Sequence, residues 1–388
     1  MVAPLRIVFF GTPSFAVPSL EALIASRHTV VAVVSQPDRP KGRGHQLQPT
    51  PTKVVASARG IPVLQPVRIR EAAFLDQVRD LRADLGVVVA FGRILPDALL
   101  AIPRLGMINV HASVLPRYRG AAPIQRAVLA GDAETGVTIM RVEAELDAGP
   151  TFAIATVPIP PAATSGDMDA VLASLGAGLL VPVVDDLAAG RAVETPQDHS
   201  RATHAAKITK EEGAIDWTQP AAVVHNRVRG LQPWPLASTR LGPDRLVLRR
   251  TRSLGARSGN GHLGARSTNR HLGARSENRQ IEDPASDLPV SRPDTTAPVS
   301  RPGTGTPVSR PGTRERPFAD LAPDDVAPDD VAPEPGVVVR ASGDELVVAC
   351  GDGTELQILE LQPEGRRTMT AREFLAGRAI EPGARFTS

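Results

Sequence analysis

The N-terminal part of the chain alternates between two hydrophobic periods. Residues 6–10 form a short β-rich run that ends at Gly11-Thr12-Pro13, and residues 15–25 carry apolar side chains at helical spacing. A second buried run covers residues 30–34. The pattern predicts strand, turn, helix and strand.

The same alternation continues further along the chain. Apolar runs cover residues 85–90 and 107–110, and a helix-like stretch covers residues 70–82. This order is typical of an α/β domain with a Rossmann-like, doubly wound parallel sheet. Ligands bind beyond the carboxyl ends of such strands, so polar residues after Val34, Ala90 and Val110 are positioned to be functional.

Composition changes this picture in one segment. The 388 residues suffice for two domains, but 37 Pro and 33 Gly are too many for regular structure throughout. Residues 252–333 contain three copies of Leu-Gly-Ala-Arg-Ser, three of Pro-Val-Ser-Arg-Pro and two of Ala-Pro-Asp-Asp-Val. Repeats this short and polar cannot bury a continuous face, so we predict a low-complexity, disordered insertion.

The remaining segments define the predicted domains. A helix over residues 170–189 ends at Gly190 and closes an N-terminal domain of residues 1–190, and residues 191–209 form a linker. Three β-rich runs follow, at 240–250, 336–348 and 356–361. We predict that residues 210–251 and 334–388 form a small β-barrel that the insertion interrupts.

Charge and cysteine content set weaker limits. The net charge is +2 and the pI about 9.0, which is compatible with an anionic partner and decides nothing alone. Cys350 is the only cysteine, which indicates a reducing compartment and no structural metal. No signal sequence is apparent, and no stretch approaches a membrane span, so we expect a cytoplasmic protein without a membrane partner.

A Pro-rich, basic loop follows the second predicted strand. Its sequence, Gln-Pro-Asp-Arg-Pro-Lys-Gly-Arg-Gly-His over residues 36–45, is too long and too charged for a minimal connection. It is either a substrate loop or an ordinary solvated one.

Three polar residues carry the candidate chemistry. Asn109 and His111 are two apart on a predicted strand and therefore share a face. The amide can donate to a carbonyl oxygen that becomes anionic, and the imidazole can handle a proton, although a structurally satisfied histidine fits the spacing equally. Asp147 precedes a Gly-Pro turn and either orients His111 or forms the turn.

These segments resemble the 10-formyltetrahydrofolate-dependent formyltransferases. Asn109, His111 and Asp147 match the catalytic set of that family, and Ser-Val-Leu-Pro-Arg matches its folate signature with one conservative change. Phe-Gly-Thr-Pro-Ser-Phe at 10–15, Gln-Pro-Asp-Arg-Pro at 36–40 and Gly-Ala-Ala-Pro-Ile-Gln at 120–125 are similar to the tRNA-formylating branch. The resemblance covers residues 6 to about 250.

What the resemblance implies is specific. The donor would be 10-formyltetrahydrofolate as a co-substrate, the acceptor initiator methionyl-tRNA, and the enzyme a monomer without a metal. The implied folate-binding residues are Phe91, Gly92, Ser113, Val114, Leu115, Pro116 and Arg117. The implied tRNA-binding residues are Arg43, Lys207 and Lys210.

A second resembling run, Lys-Ile-Thr-Lys-Glu-Glu-Gly-Ala-Ile-Asp-Trp, opens the predicted barrel. Lys207 and Lys210 would be one turn apart in a helix and could present charge to phosphates, or form a solvated helix face. The resemblance implies that the barrel is OB-like and helps to hold the tRNA electrostatically. The chain departs from the family at Glu145, where Gly is usual, and at Ala148, where Thr is usual.

Two alternatives remain open. One is a folate formyltransferase with a small amine acceptor, such as a nucleotide sugar or glycinamide ribonucleotide. The other is a tRNA-binding module without activity. A nicotinamide enzyme is disfavoured, because Gly11-Thr12-Pro13-Ser14 lacks the spaced glycines that admit a pyrophosphate.

Overall fold

The computed structural model describes residues 2–41, 46–256 and 333–388. Arg43 and residues 257–332, which make up most of the predicted insertion, lie outside the described residues. All bounds below refer to the described ranges.

A seven-stranded sheet forms the N-terminal part, in the order β10-β9-β7-β6-β1-β2-β5. Strands β5, β2, β1, β6 and β7 are parallel, whereas β9 and β10 extend the sheet in antiparallel fashion. Two short pairs, β3 with β4 and β8 with β11, lie outside it. The strands are β1 (Arg6–Gly11), β2 (Thr29–Val34), β3 (Arg39–Lys41), β4 (Gln46–Gln48), β5 (Val63–Leu64), β6 (Leu85–Val89), β7 (Met107–His111), β8 (Arg119–Gly120), β9 (Glu134–Arg141), β10 (Thr151–Pro158) and β11 (His204–Ala205).

Helices cover both faces of this sheet. They are α1 (Val17–Ala25), α2 (Pro51–Ala58), α3 (Ala72–Asp80), α4 (Asp97–Leu100), α5 (Pro123–Ala130), α6 (Ser165–Ala188), α7 (Ala221–Gly230) and α8 (Ala371–Ala376), of which α7 and α8 belong to the C-terminal part. Short 3-10 helices cover Ser14–Ala16, His199–Arg201 and Glu211–Gly213.

Strand β1 shows how the two layers arise. Ile7 and Phe9 point into a core shared with α1 and α6, while Val8 and Phe10 point into a second core shared with α3. Alternate side chains of a fully buried strand must find apolar partners on both faces. The predicted doubly wound α/β sheet is therefore confirmed, with an antiparallel edge that the sequence pattern did not predict.

Helix α6 begins earlier than the predicted residue 170. Thr164 accepts a hydrogen bond from the backbone of Asp167, whose carboxylate accepts one in return from Thr164, so a capping box starts the helix at Ser165. The helix is long and apolar enough to cross a membrane, with a mean hydropathy of 1.7, so the expectation that no stretch approaches such a span was wrong. Its apolarity has a packing reason: a Cβ at Gly176 would lie 2.7 Å from Val110, so the helix lies directly on the sheet.

The C-terminal part is a curled antiparallel sheet in the order β14-β15-β16-β13-β12-β18, with β17 also paired to β16. A bridge between Val337 and Arg385 joins its two ends, so the sheet closes on itself and the predicted OB-like barrel is confirmed. The strands are β12 (Ala237–Leu241), β13 (Asp244–Ala256), β14 (Val338–Ser342), β15 (Glu345–Ala349), β16 (Thr354–Pro363), β17 (Met369–Thr370) and β18 (Phe386–Thr387).

Two of the three predicted β-rich runs, at 240–250 and 336–348, are hairpins, whereas the run at 356–361 lies within the single strand β16. The run at 240–250 is divided between β12 and β13 by a turn at Gly242, whose φ is 60°. Strand β13 continues to Ala256 and pairs there with β16, so residues 252–256 belong to the barrel and not to the insertion.

The thiol of Cys350 is buried in the barrel. Burial together with Glu355 raises its pKa to about 12, as suits a packing residue rather than a nucleophile.

Candidate functional site

His111 ends β7 with its imidazole almost enclosed. The side chain is 6% exposed, and Nε2 lies 2.9 Å from the backbone oxygen of Tyr118. Because that oxygen can only accept, Nε2 carries the hydrogen. In the neutral ring Nδ1 is then the free, basic nitrogen.

Asp147 lies opposite that nitrogen. Its Oδ2 is 3.7 Å from His111 Nδ1, which suits an ion pair with protonated His111 and is too long for a direct hydrogen bond. The same Oδ2 accepts a 2.9 Å hydrogen bond from the backbone N–H of Gly120. The structure thus brings together two residues that the sequence could not show to meet.

Two backbone features make this approach possible. Asp147 has φ 50°, in the left-handed region that costs energy for most residues with a side chain. Gly120 has φ 122°, and a Cβ there would lie 2.7 Å from the oxygen of Ala205. Only glycine therefore lets the 120 backbone reach the carboxylate.

Asn109 lies two residues before His111 on β7, between Val88 of β6 and Met140 of β9. It is half-buried, and within the described residues its amide makes no hydrogen bond. By strand alternation it shares a face with His111. The carboxyl end of β7 thus combines an available amide donor, a basic nitrogen and a carboxylate.

The predicted folate signature forms the loop after β7. Ser113 is fully buried and donates a 2.7 Å hydrogen bond to the backbone oxygen of Arg117, while Thr138 accepts from Leu115 N–H. Val114 and Pro116 are half-buried. Ser113 and Leu115 hold the loop in shape, so any ligand contact would come from its more exposed members.

Arg117 is the exposed member of this loop. Its Nη2 donates to Asp132 at 2.9 Å, and its guanidinium lies 5.0 Å from the centre of the Tyr118 ring. Burial and the hydrogen bond to Asp132 raise the pKa of Tyr118 to about 12. Arg117 and Tyr118 are thus anchored to one carboxylate.

The second predicted folate segment follows β6. The Phe91 ring is 2% exposed and packs edge-on against Phe10 with centroids 5.5 Å apart, so it is not free to stack on a ligand. Its backbone oxygen accepts a 3.2 Å hydrogen bond from Gln36 Nε2. Gly92 is exposed, with φ 82°.

Lys207 and Lys210 are exposed but are not helical, because they lie in irregular chain before the 3-10 helix Glu211–Gly213. The conditional picture of two lysines one helical turn apart was therefore wrong. The reason is tertiary: Glu212 accepts the Thr209 N–H and pairs with Arg126 on α5, which holds the segment in a tight turn.

Sequence reasoning missed two residues that support the site. Gln197, in the predicted linker, donates hydrogen bonds to the backbone oxygens of Asp147 and Gly149 and accepts two from Arg119. Arg119 also lies 3.5 Å from Glu145, the residue that departs from the family pattern. A polar Pro-Gln-Asp run inside a linker was the only available signal.

A basic groove lies between α7, β13 and the turn before α6. Its volume is about 350 Å³, and its lining includes Arg229, Arg249, Arg250 and Arg252. Arg229 is 7% exposed, and burial lowers its pKa.

Within the ranges 2–41, 46–256 and 333–388, no three His, Cys, Asp or Glu side chains are grouped as metal ligands would be.

Comparison with known families identifies the class. The formyl transferase family model matches residues 5–184, and the model of the formyl transferase C-terminal domain matches residues 207–275 and 319–379. The two matches together cover the sheet of the N-terminal part and the barrel of the C-terminal part, so the chain has both domains of a formyl transferase.

Individual relatives narrow the class. A methionyl-tRNA formyltransferase of Moorella thermoacetica is 52% identical over 244 residues, which cover 63% of this chain and 78% of the relative. One of Geobacter sulfurreducens is 38% identical over 384 residues, which cover 99% of this chain and 97% of the relative. The chain therefore belongs to the methionyl-tRNA formyltransferase family.

Solved structures share the fold at greater distance. An N-formyltransferase from Helicobacter canadensis, in complex with folinic acid and dTDP-3-aminofucose, aligns with a TM-score of 0.52 at 16% identity and covers 66% of this chain and 91% of its own. HypX from Aquifex aeolicus, in complex with tetrahydrofolic acid, aligns with a TM-score of 0.54 at 13% identity and covers 100% of this chain and 51% of its own.

Proposed function

We propose that this protein transfers a formyl group from 10-formyltetrahydrofolate to the α-amine of methionine esterified to initiator tRNA. The observation that carries the proposal is the approach of Asp147 to His111 Nδ1 at 3.7 Å, beside the available amide of Asn109. The named relatives support the same acceptor.

The reaction is a direct acyl transfer. The amine attacks the formyl carbon, a new N–C bond forms, and the bond from that carbon to N10 of the donor breaks. Asn109 donates a hydrogen bond to the formyl oxygen as it becomes anionic. His111 Nδ1 takes the proton that the amine loses, Asp147 stabilises the resulting imidazolium, and the proton then passes to the departing N10.

The donor would lie against the loop after β7 and the backbone at Gly92. Exposed Arg117 and half-buried Val114 and Pro116 offer contacts there, whereas Ser113, Leu115 and the Phe91 ring act by holding the backbone in place. The complexes of the Helicobacter canadensis and Aquifex aeolicus proteins with folate derivatives support a folate donor.

The acceptor would be held by charge rather than by base readout. Lys207 and Lys210 are exposed and make no ion pair within the described residues. Arg43 is assigned to the same role by resemblance alone. Such contacts position a nucleic acid without reading its sequence. We further propose that the protein acts as a cytoplasmic monomer.

The test is formyl transfer by the purified full-length chain. Initiator methionyl-tRNA is compared with a nucleotide amino sugar and glycinamide ribonucleotide as acceptors, with 10-formyltetrahydrofolate as donor. Asn109→Ala and His111→Ala should each lower kcat on the order of a hundred- to a thousandfold, because each removes a group that acts in the transition state. Gln77→Ala, which truncates an exposed amide on α3, is the control.

Each result has a distinct meaning. Preference for a small amine would overturn the acceptor, and tRNA binding without transfer would overturn the enzyme assignment. Near-normal turnover of folded Asn109→Ala and His111→Ala would overturn the site.

A further inference from the structure

Gln197 lies in residues 191–209, which the sequence predicts only as a linker between the two domains. Its side chain is 9% exposed. Nε2 donates to the oxygens of Asp147 at 2.9 Å and Gly149 at 2.7 Å, and Oε1 accepts from Arg119 at 2.8 and 3.2 Å. Both amide hydrogens and both lone pairs are therefore used.

The two donated hydrogen bonds hold the turn that carries the carboxylate. Asp147 has φ 50°, a conformation that persists only when its surroundings enforce it. A Cβ at Gly149 would lie 2.2 Å from the oxygen of Arg141, so the turn also lies tight against β9. Gln197 bonds the backbone oxygens on both sides of Ala148 and so sets the turn from outside.

The accepted hydrogen bonds hold the other half of the site. Arg119 is 8% exposed and directly precedes Gly120, whose N–H donates to Asp147 Oδ2 at 2.9 Å. The chain around Gln197 is itself fixed, because Thr195 pairs with Thr151 and β11 pairs with β8. One amide thus joins the loop after β7 to the turn at 147–149.

We propose that Gln197 is a positioning residue for formyl transfer. It touches no reacting atom and acts by holding Asp147 against His111 Nδ1. The inference rests on the proposed function and adds a residue to the machinery of that site. Glu145 pairs with Arg119 from the solvent side and leaves the Gln197 contacts intact.

Two substitutions test the hydrogen bonds of Gln197. Gln197→Glu keeps an acceptor for Arg119 but places a carboxylate oxygen against the backbone oxygens of Asp147 and Gly149. Gln197→Met loses both the donated and the accepted hydrogen bonds. Both should lower kcat by about a hundredfold, as displacement of a reacting group by about 1 Å does. The KM values for donor and tRNA should change little, and the pH dependence of kcat should change shape. Gln219→Met, in the barrel part, is the matched control and should match wild type.

If Gln197 served only to stabilise the fold, its substitution would lower the folded fraction, as measured by circular dichroism. Activity would then fall in the same proportion, with an unchanged pH profile. That result, or full activity in both variants, would overturn the positioning role while wild type remained active. Wild type without transfer to methionyl-tRNA would overturn the proposed function and this inference together.

Discussion

Single side chains on the surface carry the proposed contact with tRNA. Lys207 and Lys210 are exposed and lie in the segment that α5 clamps through Arg126. Because the backbone of the segment is fixed, both lysines project from a defined place on the surface without a helix. Each phosphate contact releases condensed counterions and makes binding depend on salt.

We therefore expect Lys207→Ala combined with Lys210→Ala to weaken tRNA binding and to lower the slope of log affinity against log salt by about 2. The value of kcat at saturating tRNA should not change, since neither lysine is in contact with Asn109, His111 or Asp147. Filter binding across a salt series measures the slope. Arg59→Ala, an exposed cation at the end of α2, is the control. An unchanged slope would remove both lysines from the tRNA surface.

For single residues, the sequence predicted which side chains belong to the site better than it predicted the contacts between them. Alternation on β7 put Asn109 and His111 on one face, because two residues on a strand share a local geometry. The contact of His111 with Asp147 depends on a left-handed turn, on the Gly120 N–H and on Gln197, which come from three separate segments. No local period encodes such a meeting.

At the scale of secondary-structure elements, one ion pair connects the segment that opens the barrel domain to helix α5. Arg126 on α5 bonds Glu212 at 2.6 and 3.0 Å, with both side chains mostly buried, and a small apolar cluster of Ala122, Ile208 and Leu231 packs beside it. The hydrogen bonds from Arg126 lower the pKa of Glu212 below its ordinary value. The ionised form is thus favoured by folding.

The sign of the pH dependence follows. A carboxyl whose pKa is lowered in the folded state stabilises above its unfolded pKa of about 4.3, and the stabilisation is lost as pH falls through the folded value. Glu212→Gln should cost about 1–3 kcal/mol at pH 7, and its difference from wild type should shrink below about pH 4. Urea denaturation at both pH values measures this. Glu21→Gln, an exposed carboxyl on α1, is the control, and an equal cost of Glu212→Gln at both pH values would contradict the assignment.

Helices and strands with a sustained hydrophobic pattern were predicted well, whereas elements that depend on tertiary contacts were not. The parallel strands β1, β2, β6 and β7 and helix α1 follow from the local pattern. The short parallel strand β5, the antiparallel β9 and β10 and the irregular chain at Lys207 depend on partners elsewhere. The start of α6 was missed although its signal was local, since Thr164 and Asp167 form a capping box.

At the scale of the whole molecule, the described chain stops at Ala256 and resumes at Pro333, and the barrel residues next to this gap lie on nearby strands. Ala256 pairs with Thr354 on β16, Glu355 pairs with Ala349 on β15, and Ala349 accepts the Gly336 N–H. Three strand spacings of about 4.8 Å therefore separate the two ends, a span that roughly five or six residues bridge.

We expect a chain in which a short Gly-Ser linker replaces residues 257–332 to keep its formyl transfer to methionyl-tRNA. Removal of residues 252–333 instead should impair folding, because it deletes the end of β13, where Arg252, Ser253 and Gly255 pair with β16. Cys350 reports the state of the barrel: it is buried with a pKa of about 12, so a thiol reagent at pH 8 should label it only when the barrel opens. Slow labelling with transfer lost in the shorter deletion would show that residues 257–332 act in the reaction rather than interrupt the barrel.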